Sequence, residues 1–263
     1  MGMNYTTEFA SIKGQVSEAE WAARVELAAC YRLVDKYEMT DLIYNHITAR
    51  VPGEETLLIN LYGLLYKEMT ASSLVKIDLE GNVVWKPETD YDYNYSGYVI
   101  HGAIHRARPD VSCVLHTHTR AGMAVSCMEE GLLPITQTSM RFHNRTGYHD
   151  YEGPAIDLDE QERLVRDLGE HNALVLKNHG LLTCGPSVPE AFNLMYQMEM
   201  SCRAQVDVMS ARANMTMPDS EVIAHTAHLY KPETRRPYGV LEWPAMIRLL
   251  KYESNPALPA FDS

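Results

Sequence analysis

An α/β layered domain built on a mostly antiparallel sheet is the fold class that three observations predict. Apolar residues at helical spacing alternate along the chain with short strand-like runs. Turn residues join neighbouring strand-like runs, Gly81-Asn82 being the clearest hairpin signal. The chain has 263 residues, 46% of them hydrophobic, with no internal repeat or low-complexity tract, so a single core is feasible.

Residues 1–16 read as a loose arm. Ser17 opens a helix, and its spacing to Glu20 is that of a capping box. Ala23, Leu27, Cys30, Tyr31 and Val34 continue at helical spacing to about Tyr37. Strands are predicted at Ile47–Val51, Leu57–Ile59, Leu74–Ile77 and Val83–Trp85. Lys86–Tyr95 is polar and reads as a loop. Residues 97–107 have helical spacing and stop before Pro109. Val111–Leu115 is a strand leading into His116, followed by a helix from Arg120 to Cys127. Asp157–Gly169 reads as a polar-faced helix, and Ala173–Leu176 as a short buried strand ending in Asn178-His179-Gly180. Val188 to about Ala213 is a long Met-rich helix whose Met195, Met198 and Met200 are core filler. The domain is expected to span 17–213. An extension punctuated by proline occupies 214–263, and Trp243, Met246, Ile247 and Leu250 would dock one short helix of it.

Lys and Arg number 23 against 35 Asp and Glu, a net charge of −12. That balance argues against a nucleic-acid or anionic-membrane partner, since both need a basic footprint. No apolar run approaches the roughly 18 residues of a membrane span. Met1–Gln15 lacks the apolar centre of a signal peptide. Cys30, Cys113, Cys127, Cys184 and Cys202 are odd in number and form no CxxC pair, which fits reduced thiols in a cytoplasmic protein.

The sharpest chemical feature is His116-Thr117-His118. Strand side chains repeat with period two, so both imidazoles point to one face and can chelate one ion. Asn178-His179-Gly180 puts a third His on a turn past a buried strand, where the glycine permits a tight backbone. Three neutral imidazoles suit zinc, iron, manganese or nickel and leave a position open for water or substrate. His101 and His105 share a helix face at i and i+4, and read as structural or as support for the metal site. His46 reads as packed beside a turn, and His143 and His149 flank an aromatic loop. His171, His225 and His228 read as surface residues.

These features sit within a longer pattern: Asn45-His46-Ile47-Thr48-Ala49-Arg50, Leu58-Ile59-Asn60-Leu61-Tyr62-Gly63-Leu64, Ile77 to Val84, His101 to Asp110, Val114 to His118, and Lys177 to Leu181. In order and spacing the pattern resembles the class II aldolase/adducin family over residues 17 to 213, with 60–65 and Tyr148–Tyr151 closest to the adducin-like branch. The resemblance implies an αβα three-layer fold with a central mostly antiparallel sheet. It implies a homo-oligomer, often a tetramer, with active sites between subunits. It also implies metal ligation by His116, His118 and His179, the metal being zinc in the family's sugar-phosphate aldolases.

The sequence departs from the aldolase pattern. Aldolases of the family carry a Glu four residues before the position of His101, where this chain has Gly97. Tyr62 and Tyr95 would crowd a phosphate, and Thr138 falls near the place of a proton-donating Tyr. Substitute acid–base candidates are Tyr98, His101 and His149, with Tyr148 and Tyr95 behind them. Asn45, Ser96 and Arg120 are the expected substrate-binding residues. Arg120 could hold a carboxylate through its paired donors, with Arg141 and Arg145 as lesser candidates. The expected function is a metal-dependent carbon–carbon lyase acting on a small oxo or hydroxy acid or carbonyl compound. The alternatives are a non-heme iron oxidative decarboxylase and a non-enzymatic adducin-like interaction protein.

Overall fold

The computed structural model describes residues 3–153, 159–212, 214–253 and 255–263. Eight strands form one sheet in the order β4-β3-β2-β1-β5-β8-β7-β6. They are β1 (His46–Arg50), β2 (Thr56–Ile59), β3 (Val75–Asp78), β4 (Val83–Trp85), β5 (Cys113–Thr117), β6 (Gly147–His149), β7 (Ala173–Leu176) and β8 (Gly180–Gly185). Every pairing is antiparallel except β6 with β7, which is parallel.

Strand parity divides the core. Cys113 and Leu115 of β5 join the larger apolar cluster with Leu27 and Val34 of α1 (Glu18–Lys36) and Met195 and Met198 of α6 (Val188–Ser210). Val114, between them, joins the opposite cluster with Ile100 and Ile104 of α2 (Tyr95–Ala107) and Leu164 and Leu168 of α5 (Glu160–Leu168). Alternate residues facing opposite sides is what the strand repeat dictates. The result is an open αβα sandwich. Each fully buried Leu contributes roughly 1.5–3 kcal/mol to holding it together.

Several local expectations are corrected. Ser17 caps α1 by accepting from the Glu20 amide, but the Glu20 carboxylate binds buried Arg24 and Lys76 instead of reaching back to the cap. The N-terminal arm is not loose. Asn4 accepts from the Asp90 amide, and Ile12 is buried with its amide on Ser72 Oγ. Met200 is 40% exposed and fills no core. Cys127 is exposed, whereas the other four thiols are free and buried. Asp157 and Ala213, named above as helix bounds, lie outside the described residues.

Among the described residues the extension carries the expected short helix and a second one before it. They are α7 (Ser220–Leu229) and α8 (Trp243–Tyr252). Trp243, Met246 and Leu250 pack on the main core. Among the described residues, no helix is long and apolar enough to cross a membrane.

Candidate metal centre

The site forms where β1, β5 and the β7–β8 turn meet on the α2 side of the sheet. His46 of β1 lies directly opposite His116 of β5, their rings 5.0 Å apart. His116 and His118 extend to the same side, as period two requires. His118 sits just past β5, and Thr119 then caps α3 (Arg120–Ser126) by accepting from the Gly122 amide. Three residues link β7 to β8. Asn178 occupies the left-handed region of that turn (φ 56°), which Asn tolerates better than most residues. Gly180 serves a different purpose: a Cβ there would fall 2.4 Å from the Thr117 carbonyl. Its missing side chain lets β8 close on β5 and so brings His179 over the other two imidazoles.

The three Nε2 atoms converge. His116 and His118 are separated by 2.7 Å, His118 and His179 by 3.0 Å, and His116 and His179 by 3.3 Å. Ligands at ~2.05 Å in a tetrahedron around zinc stand roughly 3.3 Å apart. The outer nitrogens of His116 and His118 are occupied. His116 Nδ1 donates to the Leu181 carbonyl at 2.9 Å, and His118 Nδ1 to the Asp41 carboxylate at 3.1 Å. Protons held on Nδ1 of His116 and His118 leave their Nε2 lone pairs facing each other and His179 Nε2, the arrangement found around a metal ion. Burial first, and then the neighbouring imidazoles, hold His116 well below the usual range and pull His179 down to about 4. Both rings are neutral at pH 7. The donor set therefore fits a divalent cation.

A second row of buried imidazoles backs the triad. His46 Nδ1 bonds to His101 Nε2 at 3.0 Å, His101 Nδ1 to Thr48 Oγ1 at 3.0 Å, and Thr48 Oγ1 to His105 Nε2 at 2.8 Å. His101 thus anchors His46 and lies behind the pocket wall.

An open pocket of about 620 Å³ leads to the triad. Tyr44, Tyr62, Tyr95 and Tyr151 line it with half-exposed rings. Ser96 lines it too, its hydroxyl on Asn94 Oδ1. Among the described residues, the lining contains no Lys or Arg.

Within one chain the structure does not bring every expected residue to this pocket. Tyr98 is buried with its hydroxyl on the Leu79 carbonyl and Arg106 Nη1, on the side away from the triad. His149 is not in an aromatic loop but on β6, clamped between Asp167 (2.8 Å) and Glu160 (3.3 Å). Arg120 is exposed at the start of α3 and lines no part of the pocket. Asn45 is buried below the pocket, its Oδ1 accepting from the Asp41 amide at 2.6 Å, so it shapes the loop that carries Asp41. His46, read as packing beside a turn, is instead a pocket residue on a strand. Asp41 was missed altogether. It lies 77 residues from the histidine it orients, and no local pattern marks it.

The sequence profile described as Class II Aldolase and Adducin N-terminal domain matches residues 25–206. The chain belongs to this family. An aldolase II superfamily protein from Pseudomonas syringae superposes with a TM-score of 0.89 at 48% identity, covering 93% of this chain and 98% of that one. The L-fuculose 1-phosphate aldolase from Glaciozyma antarctica superposes with a TM-score of 0.79 at 25% identity, covering 93% of each. Alpha-adducin of Rattus norvegicus is 40% identical over 90% of this chain, which spans only 32% of the adducin. Family membership is consistent with lyase chemistry on a small molecule, and class II aldolases typically depend on a divalent metal. The family also contains the adducins.

Proposed function

We propose that this protein is a metal-dependent carbon–carbon lyase acting on a small, unphosphorylated hydroxy or oxo carbonyl compound. The observation that carries the reading is the convergence of three imidazole Nε2 atoms, with the outer nitrogens of His116 and His118 already bonded. His116, His118 and His179 would hold a divalent cation, zinc in this reading with iron or manganese as alternatives. Such an ion supplies Lewis-acid polarisation of a substrate oxygen.

The chain's own residues limit the substrate. No described cationic side chain lines the pocket to balance a phosphate, and Tyr62 and Tyr95 narrow it. Arg120 stands outside, so a carboxylate finds no arginine within one chain. A neutral carbonyl compound with an apolar or aromatic portion fits the tyrosine wall better. Ser96 and the Tyr hydroxyls remain to orient hydroxyl groups. At Gly97 there is no carboxylate to move a proton, and His46 occupies that space. The open mouth with its exposed tyrosines supports a homo-oligomer, a tetramer on the family pattern, in which a neighbouring subunit completes the wall.

Elemental analysis of protein purified without added metal, followed by a screen of neutral hydroxy ketones and sugar phosphates for C–C cleavage, tests the reading. Near one equivalent of zinc, with cleavage of an unphosphorylated substrate that His116→Ala abolishes, is the expected result. Stoichiometric iron with oxygen uptake on a 2-oxo acid would instead favour oxidative decarboxylation. A metal-free, natively folded oligomer would favour an adducin-like interaction role.

A further inference from the structure

A separate cavity of about 110 Å³ lies between the turn after α4 (Gln137–Met140), the start of α6 and the segment joining α7 to α8. It shares no lining residue with the triad pocket. Arg141 and Arg145 line it from the core side, and Tyr230 and Tyr238 from the extension.

Arg141 is only 8% exposed, and neither arginine forms an ion pair among the described residues. Nη1 of Arg141 donates to two neutral acceptors, Asn193 Oδ1 and Gln197 Oε1, both at 2.8 Å. Its guanidinium stands 5.7 Å from the Tyr230 ring centroid and 5.2 Å from that of Tyr238. Nη1 of Arg145 is buried with no hydrogen-bond partner. Burial, and then repulsion from Arg145, pull Arg141 down to about 10.

Carboxylates nearby do not neutralise the pair. Glu233 acts on Arg145 and Glu242 on Arg141 only through space: Glu233 is exposed, Glu242 is bound to Arg236, and neither pairs with these arginines among the described residues. Glu170 is exposed, and Glu190 accepts from Ser187 Oγ at 3.0 Å. Two desolvated cations of like sign, one with an orphaned N–H, are unfavourable without a counter-ion.

We infer that this cavity binds a small free oxyanion, a phosphate or a carboxylate, held by Arg141 and Arg145. Planar guanidinium donors match either group. A cavity of about 110 Å³ has room for a small oxyanion. Bound there, the anion ties the core arginines to the tyrosines of the extension and strengthens its docking.

The test uses the full chain, saturated with its metal, in calorimetric titrations and thermal melts. The probes are inorganic phosphate, succinate, and chloride at matched ionic strength. One site per chain is expected for phosphate or succinate, and the better binder identifies the source. The melting midpoint should rise by about 5 °C at a hundredfold excess over the dissociation constant. Arg145→Gln should weaken binding at least tenfold, and Arg120→Gln, an exposed arginine outside the cavity, should leave it intact. Arg145 makes no side-chain hydrogen bond, so its variant carries the test even if Arg141→Gln fails to fold. Three results would overturn the assignment: no saturable binding of either oxyanion, an equal effect from chloride, or binding that survives Arg145→Gln or disappears with Arg120→Gln.

Discussion

Gly97 of α2 faces the imidazole of His46 so closely that a Cβ at position 97 would lie 2.6 Å from His46 Cγ and 2.9 Å from His46 Cβ. The histidine ring fills the space that a side chain at position 97 would need. Family aldolases place a carboxylate at this helical position, whereas here β1 fills the space with a ring.

Gly97→Ala should therefore destabilise the protein by about 1–3 kcal/mol through overpacking. Adding His46→Ala should recover part of that loss, giving a non-additive double-mutant cycle in urea denaturation. Gly97→Glu alone should gain no sugar-phosphate aldolase activity, because the ring blocks the carboxylate.

Asp41→Asn should lower metal affinity about 10–100-fold with little change in fold, since the carboxylate fixes the His118 tautomer from outside the ligand set. Competition with a chelator of known affinity checks this. Unchanged affinity would place the His118 proton elsewhere.

His105 is fully buried, and desolvation followed by repulsion from Arg50 pulls it down to about 3. The unfolded chain holds a proton on this ring below about pH 6.5, and the folded protein does not. Stability from the neutral ring is thus complete above about 6.5 and declines as pH falls toward 3. His105→Gln should reduce the slope of unfolding free energy between pH 6 and 4 by about 1.4 kcal/mol per pH unit. Urea midpoints at several pH values measure it.

Asn178→Gly should change stability by only a few tenths of a kcal/mol. Asn178→Val should cost about 1 kcal/mol or more, since a β-branched residue resists the left-handed backbone there. Metal content of the Val variant should drop with the turn, as measured by elemental analysis.

The sequence exposed the three converging histidines because their spacing is local: His116 at the end of β5 with His118 two residues on, and His179 in the turn before β8. It hid what supports them. Asp41 and His46 reach the site through sheet register, and a register is a property of paired strands. Strand β8 escaped notice because it is a buried run without alternation that follows β7 after three residues. β6 is three residues long. Helix α7 buries only Ile223 and Ala227, too thin a stripe for a periodicity signal. Tyr98 and His149 had suitable chemistry, but only the folded chain shows that one faces away from the pocket and the other is held by two carboxylates.

The division of the core by odd and even positions also restricts how this site can change over evolutionary time. Removing a single residue within β5 would turn both imidazoles toward the α6 layer, among Met195 and Met198, and present Leu115 to the cavity. Gains and losses in that strand can keep the centre only in pairs. Inheritance of the converging imidazoles and inheritance of the strand's length are, in this architecture, a single trait.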